Sequence, residues 1–222
     1  MTVKRRFLFL SLLALAYIAV SPAVFAVVGD TLHLMLAWNM LLAYLPVLFG
    51  YLLQRPNPQR WVKIVLTGLW LLFFPNAMYL LTDFIYLEAG NFMQGGTYSP
   101  LVYLREFPAY VSMFHIMIGA IIGVGYGLIS YDMVATSHFP KLRFKPKWLI
   151  TMIVFSLSSI GIYIGRFLRF NSWDVLNPFA IIKAFFQQID WFTLFFVIGL
   201  TLIHWLLYGL YHFLQDKTRY AG

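Results

Sequence analysis

The 222-residue chain contains no cysteine. Disulfides, thiolate zinc sites, iron–sulfur clusters and cysteine nucleophiles are therefore excluded. Charge is scarce as well. Asp, Glu, Lys and Arg make up 11% of the residues, against roughly 25% in an average soluble domain. So few charges cannot give a globule a water-facing shell, which excludes a soluble enzyme, a nucleic-acid module and a disordered tail. Internal repeats, low-complexity runs and room for a separate soluble domain are also missing. No Ser-His-Asp order, His-x-x-x-His pair or glycine-rich phosphate loop occurs, so no standard hydrolase, zinc or nucleotide motif is present.

What the chain has in abundance is apolar surface: 61% of all residues are hydrophobic and 19% of all residues aromatic, and the mean hydropathy is +0.77. The net charge of +8 would suggest nucleic acid in a soluble protein. In a membrane protein it reflects lysine and arginine on cytoplasmic loops, and no nucleic-acid partner is expected. A spanning helix needs about 20 mostly apolar residues. Stretches of that kind lie at 7–28, 32–53, 64–82, 109–131, 148–170 and 191–213. The expectation is an all-α membrane protein: one six-helix transmembrane domain over residues 1–222. The connection 83–108 carries Gly90, Gly95, Gly96, Pro100 and Pro108, and reads as a loop with a short interfacial helix.

Loop charge sets the orientation. With a cytoplasmic N-terminus, Lys4, Arg5, Arg6, Arg55, Arg60, Lys63, Lys141, Arg143, Lys145, Lys147, Lys217 and Arg219 lie inside. Only Arg105, Arg166, Arg169 and Lys183 lie outside. The bias predicts that both termini are cytoplasmic. The first stretch also resembles a secretory signal, with Lys4-Arg5-Arg6 ahead of an apolar run and small residues around Val24-Phe25-Ala26. An uncleaved helix is expected; cleavage would leave five spans with the same orientation.

Polar side chains inside spans cost a few kcal/mol each on insertion scales, so each calls for a partner or a purpose. On span three, Pro75 lacks an N–H and opposes the carbonyl of Leu71, which predicts a kink. Asn76, Tyr79 and Asp83 fall at i, i+3 and i+7 and form one polar stripe on an α-helix. Span five closes with Arg166 and Arg169, one turn apart, followed by Asn171-Ser172-Trp173-Asp174 with its turn and cap chemistry. Residues 179–189 read as a short helix on the outer surface, Phe179, Ile182, Phe185 and Phe186 on one side and Lys183 and Gln187 opposite. Depth arithmetic at 1.5 Å per residue puts Asn39 roughly 12 Å and His115 roughly 10 Å below the outer edge. His33, Asn39, Asn76, Asp83, His115, Arg166, Arg169 and Asp174 then share the outer half, and His204 stands almost alone in the inner half. That distribution fits an outward-facing vestibule better than a two-sided transport path. Gly119, Gly123 and Gly127, and again Gly161 and Gly165, sit at four-residue spacing and let helices approach closely.

Three segments resemble the bacterial membrane family known as domain of unknown function 1361. They are Trp38-Asn39-Met40-Leu41-Leu42-Ala43, the run from Phe74-Pro75-Asn76 to Thr82-Asp83, and Gly161-Ile162-Tyr163 through Arg166, Arg169 and Asn171-Ser172-Trp173-Asp174. The resemblance covers nearly the whole chain. Glu106-Phe107-Pro108-Ala109-Tyr110 departs from the Trp-Tyr-Asp-like segment of that family. What the resemblance implies is a small multi-pass protein of the bacterial cytoplasmic membrane, with no activity attached.

The candidate ligand-binding residues are Asn39, Asn76, Tyr79, Asp83, Arg166, Arg169, Asn171 and Asp174, with no metal and no cofactor expected. A structural role pairs Asp83 with Arg166 or Arg169 and lets Asn39 satisfy the carbonyl freed by Pro75. A binding role uses the arginine forks as a receptor for a phosphate- or carboxylate-bearing ligand. An enzyme or transporter acting from the outer leaflet would use Asp83 or His115 as general base beside the arginines. A non-catalytic role is favoured: a membrane scaffold, whose partners are other membrane proteins, or a receptor for an anionic or lipid ligand.

Overall fold

The computed structural model describes residues 3–56, 58–90, 92–96, 99–138 and 144–220. Among them are seven α-helices: α1 (Val3–Val28), α2 (Leu32–Leu53), α3 (Arg60–Tyr79), α4 (Phe107–His138), α5 (Phe144–Phe167), α6 (Pro178–Gln187) and α7 (Trp191–Tyr220). All but α6 are long and apolar enough to cross a membrane. Lys141 and Arg143 lie outside the described residues, as do the side chains of Lys145, Lys147, Lys217 and Arg219.

Two compact units make up the chain. The first comprises Met1–Leu48 with Asn76–Gly127, the second Phe49–Pro75 with Leu128–Gly222. In the first unit, α1 buries Leu10, Ala14, Tyr17, Ser21 and Val24, and α2 buries His33, Leu36, Met40, Ala43 and Val47. Both sets repeat at three- and four-residue steps, which keeps one narrow face of each helix inward. The opposite faces expose Leu8, Leu12 and Leu15 on α1 and Leu34, Trp38 and Leu41 on α2. In water such surfaces would be an aggregation hazard; in a spanning helix they are the lipid-facing side.

Glycines on α4 decide how near its neighbours come. A Cβ on Gly123 would stand 2.5 Å from the Ala77 carbonyl oxygen and 2.9 Å from the Leu80 Cβ. One at Gly127 would stand 2.6 Å from the Met78 sulfur, and one at Gly119 the same distance from the Tyr17 hydroxyl. The spacing read from the sequence thus marks a contact face that takes α1 at one level and the end of α3 at the next.

Pro75 lies inside α3, and four residues after it the winding changes. Leu80–Ala89 is a 3-10 helix. At about 120° per residue instead of 100°, this winding carries Asp83 some 80° further round the axis than an α-helix would. Asp83 is 1% exposed, while Asn76 and Tyr79 are half-buried. Beyond the 3-10 stretch, two antiparallel strands stand where only a loop and short helix were expected: β1 (Met93–Gly96) and β2 (Ser99–Tyr103). Gly95 has φ 104° and a Cβ there would run into the Pro100 carbonyl, so the glycine allows the tight return. Pro100 is tolerated because a two-stranded ribbon has only edge strands.

In the second unit aromatic rings fill the core. Phe155 on α5 is fully buried and lies 5.3 Å from Tyr131, 5.6 Å from Tyr208 and 6.4 Å from Phe74, centre to centre. Pairs of this kind add about 0.5–1.5 kcal/mol each beyond their area. A Cβ on Gly161 would lie 2.9 Å from Pro75 Cγ, so α5 packs directly on the proline of α3. The second unit also buries Ser130, Thr151, Ser158, Ser159, Thr193, Thr201 and His204. His204 is therefore in polar company: Nε2 is 3.3 Å from Ser158 Oγ, and Nδ1 is 2.7 Å from the Leu200 carbonyl. His212 Nε2 lies 3.5 Å from Asp132 Oδ1. Sequence depth arithmetic overlooked this group because single Ser and Thr residues cost little in a span and leave no pattern.

Asn177 accepts the Ala180 N–H at 3.4 Å at the start of α6, where Pro178 needs no hydrogen-bond acceptor. Phe185 turns inward onto Tyr163 at 6.0 Å, and Phe179, Ile182 and Phe186 face outward. Lys183 and Gln187 flank that stripe rather than oppose it, since 100° per residue puts Lys183 only about 40° from Phe179. Asp190 caps α7, its Oδ1 accepting the Thr193 N–H at 2.8 Å. The Thr193 N–H and hydroxyl hold the Asp190 carboxyl below its ordinary pKa of 3.8.

Two outcomes test this packing in thermal unfolding in detergent. Gly123→Ala should destabilise by about 1–3 kcal/mol, because a methyl group would press on backbone. Gly125→Ala, with nothing within 4 Å, should be neutral or gain up to about 1 kcal/mol. A carboxyl with a lowered folded pKa stabilises above its unfolded pKa and is lost as pH falls through the folded value. Amide protection at the α7 start, taken relative to the intrinsic exchange rate at each pH, should thus fall below about pH 4 in the wild type. Asp190→Asn, which keeps a capping oxygen, should flatten that dependence.

Candidate functional site

The residues singled out in the sequence divide between the two units. Asn39, Asn76, Tyr79 and Asp83 belong to the first, Arg166, Arg169, Asn171 and Asp174 to the second. Asn171 and Asp174 are local turn partners: the Asn171 N–H donates to Asp174 Oδ2 at 2.6 Å, and the Asp174 N–H to the Asn171 carbonyl at 3.0 Å. Arg166 lies in the last turn of α5, where the carbonyl-rich end favours a cation. Arg169 takes φ 59°, and the Phe170 N–H folds back on the Ile164 carbonyl at 3.4 Å. A left-handed residue is a normal helix stop, but glycine or asparagine usually fills it.

The most concentrated polar chemistry in the first unit joins His33 and His115 with two residues of α1 that the sequence reading passed over, Tyr17 and Ser21. His33 Nδ1 lies 3.1 Å from His115 Nδ1. His115 Nε2 lies 3.1 Å from Ser21 Oγ. The Tyr17 hydroxyl lies 3.3 Å from His115 Nδ1 and 3.2 Å from the His115 carbonyl, and the Tyr17 ring stacks on the imidazole at 4.3 Å. Gly119, one turn beyond His115, leaves room for that hydroxyl. All four side chains are buried.

Donor counting assigns the protons with both rings neutral. Ser21 Oγ donates to the Tyr17 carbonyl at 2.8 Å, so it must accept from His115 Nε2–H. His115 Nδ1 is then an acceptor, and His33 Nδ1–H donates to it. The remaining atom, His33 Nε2, is a buried lone pair with no hydrogen-bond partner among the described residues. His115 consequently has both nitrogens engaged and is ill placed to take a proton from a substrate. Among the described residues no group of three His, Asp or Glu side chains is arranged to hold a metal ion.

A cavity of about 710 Å³ opens in the same unit. Its polar lining comes from Asp30, Thr31, Tyr86, Glu106 and Ser112, and its apolar walls include Leu32, Met35, Leu87, Phe92 and Leu104. The 3-10 stretch, the residue before β1 and the starts of α2 and α4 thus supply the walls. Asp30 Oδ1 accepts the Leu32 N–H at 2.8 Å, which caps α2, and Glu106 precedes α4. Among the described residues no Lys or Arg lines this cavity, nor does any residue singled out from the sequence as ligand-binding. Asp30 and Glu106 carry no sequence signal beyond their places ahead of helices.

The family model described as "Protein of unknown function (DUF1361)" matches residues 38–207. The chain belongs to this family. Comparison with curated proteins and with solved structures gives no match. The DUF1361 segment contains His115, Glu106 and every residue singled out as ligand-binding, whereas Tyr17, Ser21, Asp30 and His33 precede it. Three of the four residues of the buried histidine cluster and one of the cavity's two carboxylates therefore lie ahead of the matched region.

Ser21→Ala leaves the His115 Nε2–H buried without its acceptor and should cost about 1–3 kcal/mol. In a His115→Leu background that donor is gone, and the same change should cost less than half as much. Thermal unfolding of the four variants in detergent measures the difference.

Proposed function

We propose that this DUF1361 protein is a non-catalytic membrane receptor for an amphiphile, with the first unit's cavity as its site. The observation that carries the reading is the cavity itself. Its volume of about 710 Å³ falls within the roughly 300–1,000 Å³ usual for small-molecule sites. Apolar walls suit a hydrocarbon portion, and the polar lining suits a headgroup. Asp30 and Glu106 in the lining favour a headgroup that carries an amine. The loop charges support a cytoplasmic membrane with both termini inside, which would turn this cavity outward.

One observation favours a second reading, an anion-binding role for Arg166 and Arg169. A left-handed arginine costs roughly 1–2 kcal/mol, and strained residues concentrate at functional sites. A catalytic role has less support, since His115 spends both nitrogens inside its own cluster.

Thermal unfolding in detergent with added phosphatidylethanolamine or phosphatidylglycerol tests the receptor. A ligand that binds only the folded state raises the unfolding temperature. Phosphatidylethanolamine should raise it more than phosphatidylglycerol does. Ser112→Trp, which fills the cavity, should abolish the difference, and Glu106→Gln should reduce it. Equal responses to the two lipids, or an unchanged response in Ser112→Trp, would sink the proposal.

A further inference from the structure

The stretch between α5 and α7 carries apolar side chains that nothing among the described residues covers. Leu176 is 90% exposed, Phe179 83%, Ile182 51% and Phe186 68%. On α6, Phe179, Ile182 and Phe186 fall within an arc of about 60°. The inward side is held by Phe185 on Tyr163, so the helix has a fixed rotation and the stripe a fixed direction. Lys183 and Gln187 border the stripe on one flank only.

Chain geometry limits what can cover this stripe. Only residues 188–190 separate α6 from α7. From Gln187 to Trp191 an extended chain reaches at most about 14 Å, and Gln188 already turns back through its N–H to the Phe185 carbonyl. The polar layer on each side of the hydrocarbon core is itself about 5–8 Å thick. The end of α6 therefore stays within about 14 Å of the start of α7. The stripe also continues into the exposed apolar side of α7, where Trp191 is 87% and Phe195 75% exposed.

We propose that α6 lies flat in the boundary between headgroups and acyl chains, on the side where α5 ends and α7 begins. Leu176, Phe179, Ile182 and Phe186 enter the acyl region, and Lys183 stays at the level of the lipid phosphates, its apolar stem lying along the boundary. The partner is the lipid surface, and none of these residues lines the cavity of the first unit.

The absence of native cysteine makes single-cysteine labelling clean. Phe179→Cys, Phe186→Cys and Gln187→Cys variants carrying an environment-sensitive fluorophore would be reconstituted in phosphatidylethanolamine–phosphatidylglycerol vesicles. Because these positions are exposed, each variant should unfold in detergent at the wild-type temperature. Labels at 179 and 186 should lose most of their emission to brominated acyl chains and little to aqueous iodide; the label at 187 should behave in the reverse way. Strong iodide quenching at 179 and 186 would place the stripe in water and overturn the proposal. Protection from both quenchers would show that protein covers the stripe, and would overturn it equally.

Discussion

The contact between Gly123 and the backbone at Ala77 sets the spacing of the first unit. In lipid, hydrocarbon tails are as apolar as leucine, so helices gain little from hiding apolar surface from one another. What remains is close contact, which a Cβ at Gly123 would prevent. With α4 against the end of α3 at that level, Gly127 meets Met78 one turn on, and Gly119 meets Tyr17 one turn back. The histidine cluster follows from the last of these, because Tyr17 reaches His115 over the surface that Gly119 leaves free.

Packing and polar chemistry are thus joined on α1. Besides Tyr17 and Ser21, its Ser11 lies 2.6 Å from the Tyr44 hydroxyl, and its Leu10 carbonyl accepts from Tyr126 at 2.6 Å. Interhelical hydrogen bonds of this kind are worth only about 0.6–2 kcal/mol each. Their larger effect is on register, since a slip of α1 by one residue would strand several buried donors together, and each orphaned group costs about 1–3 kcal/mol. The second unit reaches a fixed arrangement by another route, through ring contacts centred on Phe155 and the Pro75–Gly161 contact.

Hydropathy made the spans legible because each is a run of about 20 residues with a single thermodynamic cause. The glycine spacing on α4 was legible for a similar reason: small residues at four-residue steps have one main use. Tyr17 and Ser21 were not, since an isolated hydroxyl in an apolar run carries no period. The pairing of His33 with His115 joins residues 82 positions apart, and no local pattern encodes such a contact. The polar stripe through Asp83 assumed α-winding throughout, and nothing in Leu80–Ala89 advertises 3-10 geometry. The cavity was missed because its walls come from helix starts and a hairpin, which hydropathy reads only as interruptions.

That 3-10 stretch has a mechanical consequence. Its ten residues span about 20 Å, where an α-helix would take about 15 Å. Each residue rewound from one form to the other shortens the segment by about 0.5 Å and turns everything beyond it by about 20°. Tyr86 and Leu87 lie on this segment, and Phe92 lies just past it. The segment works like a screw thread: the width of the opening it borders and the bearing of Asp83 are geared to one variable, its winding.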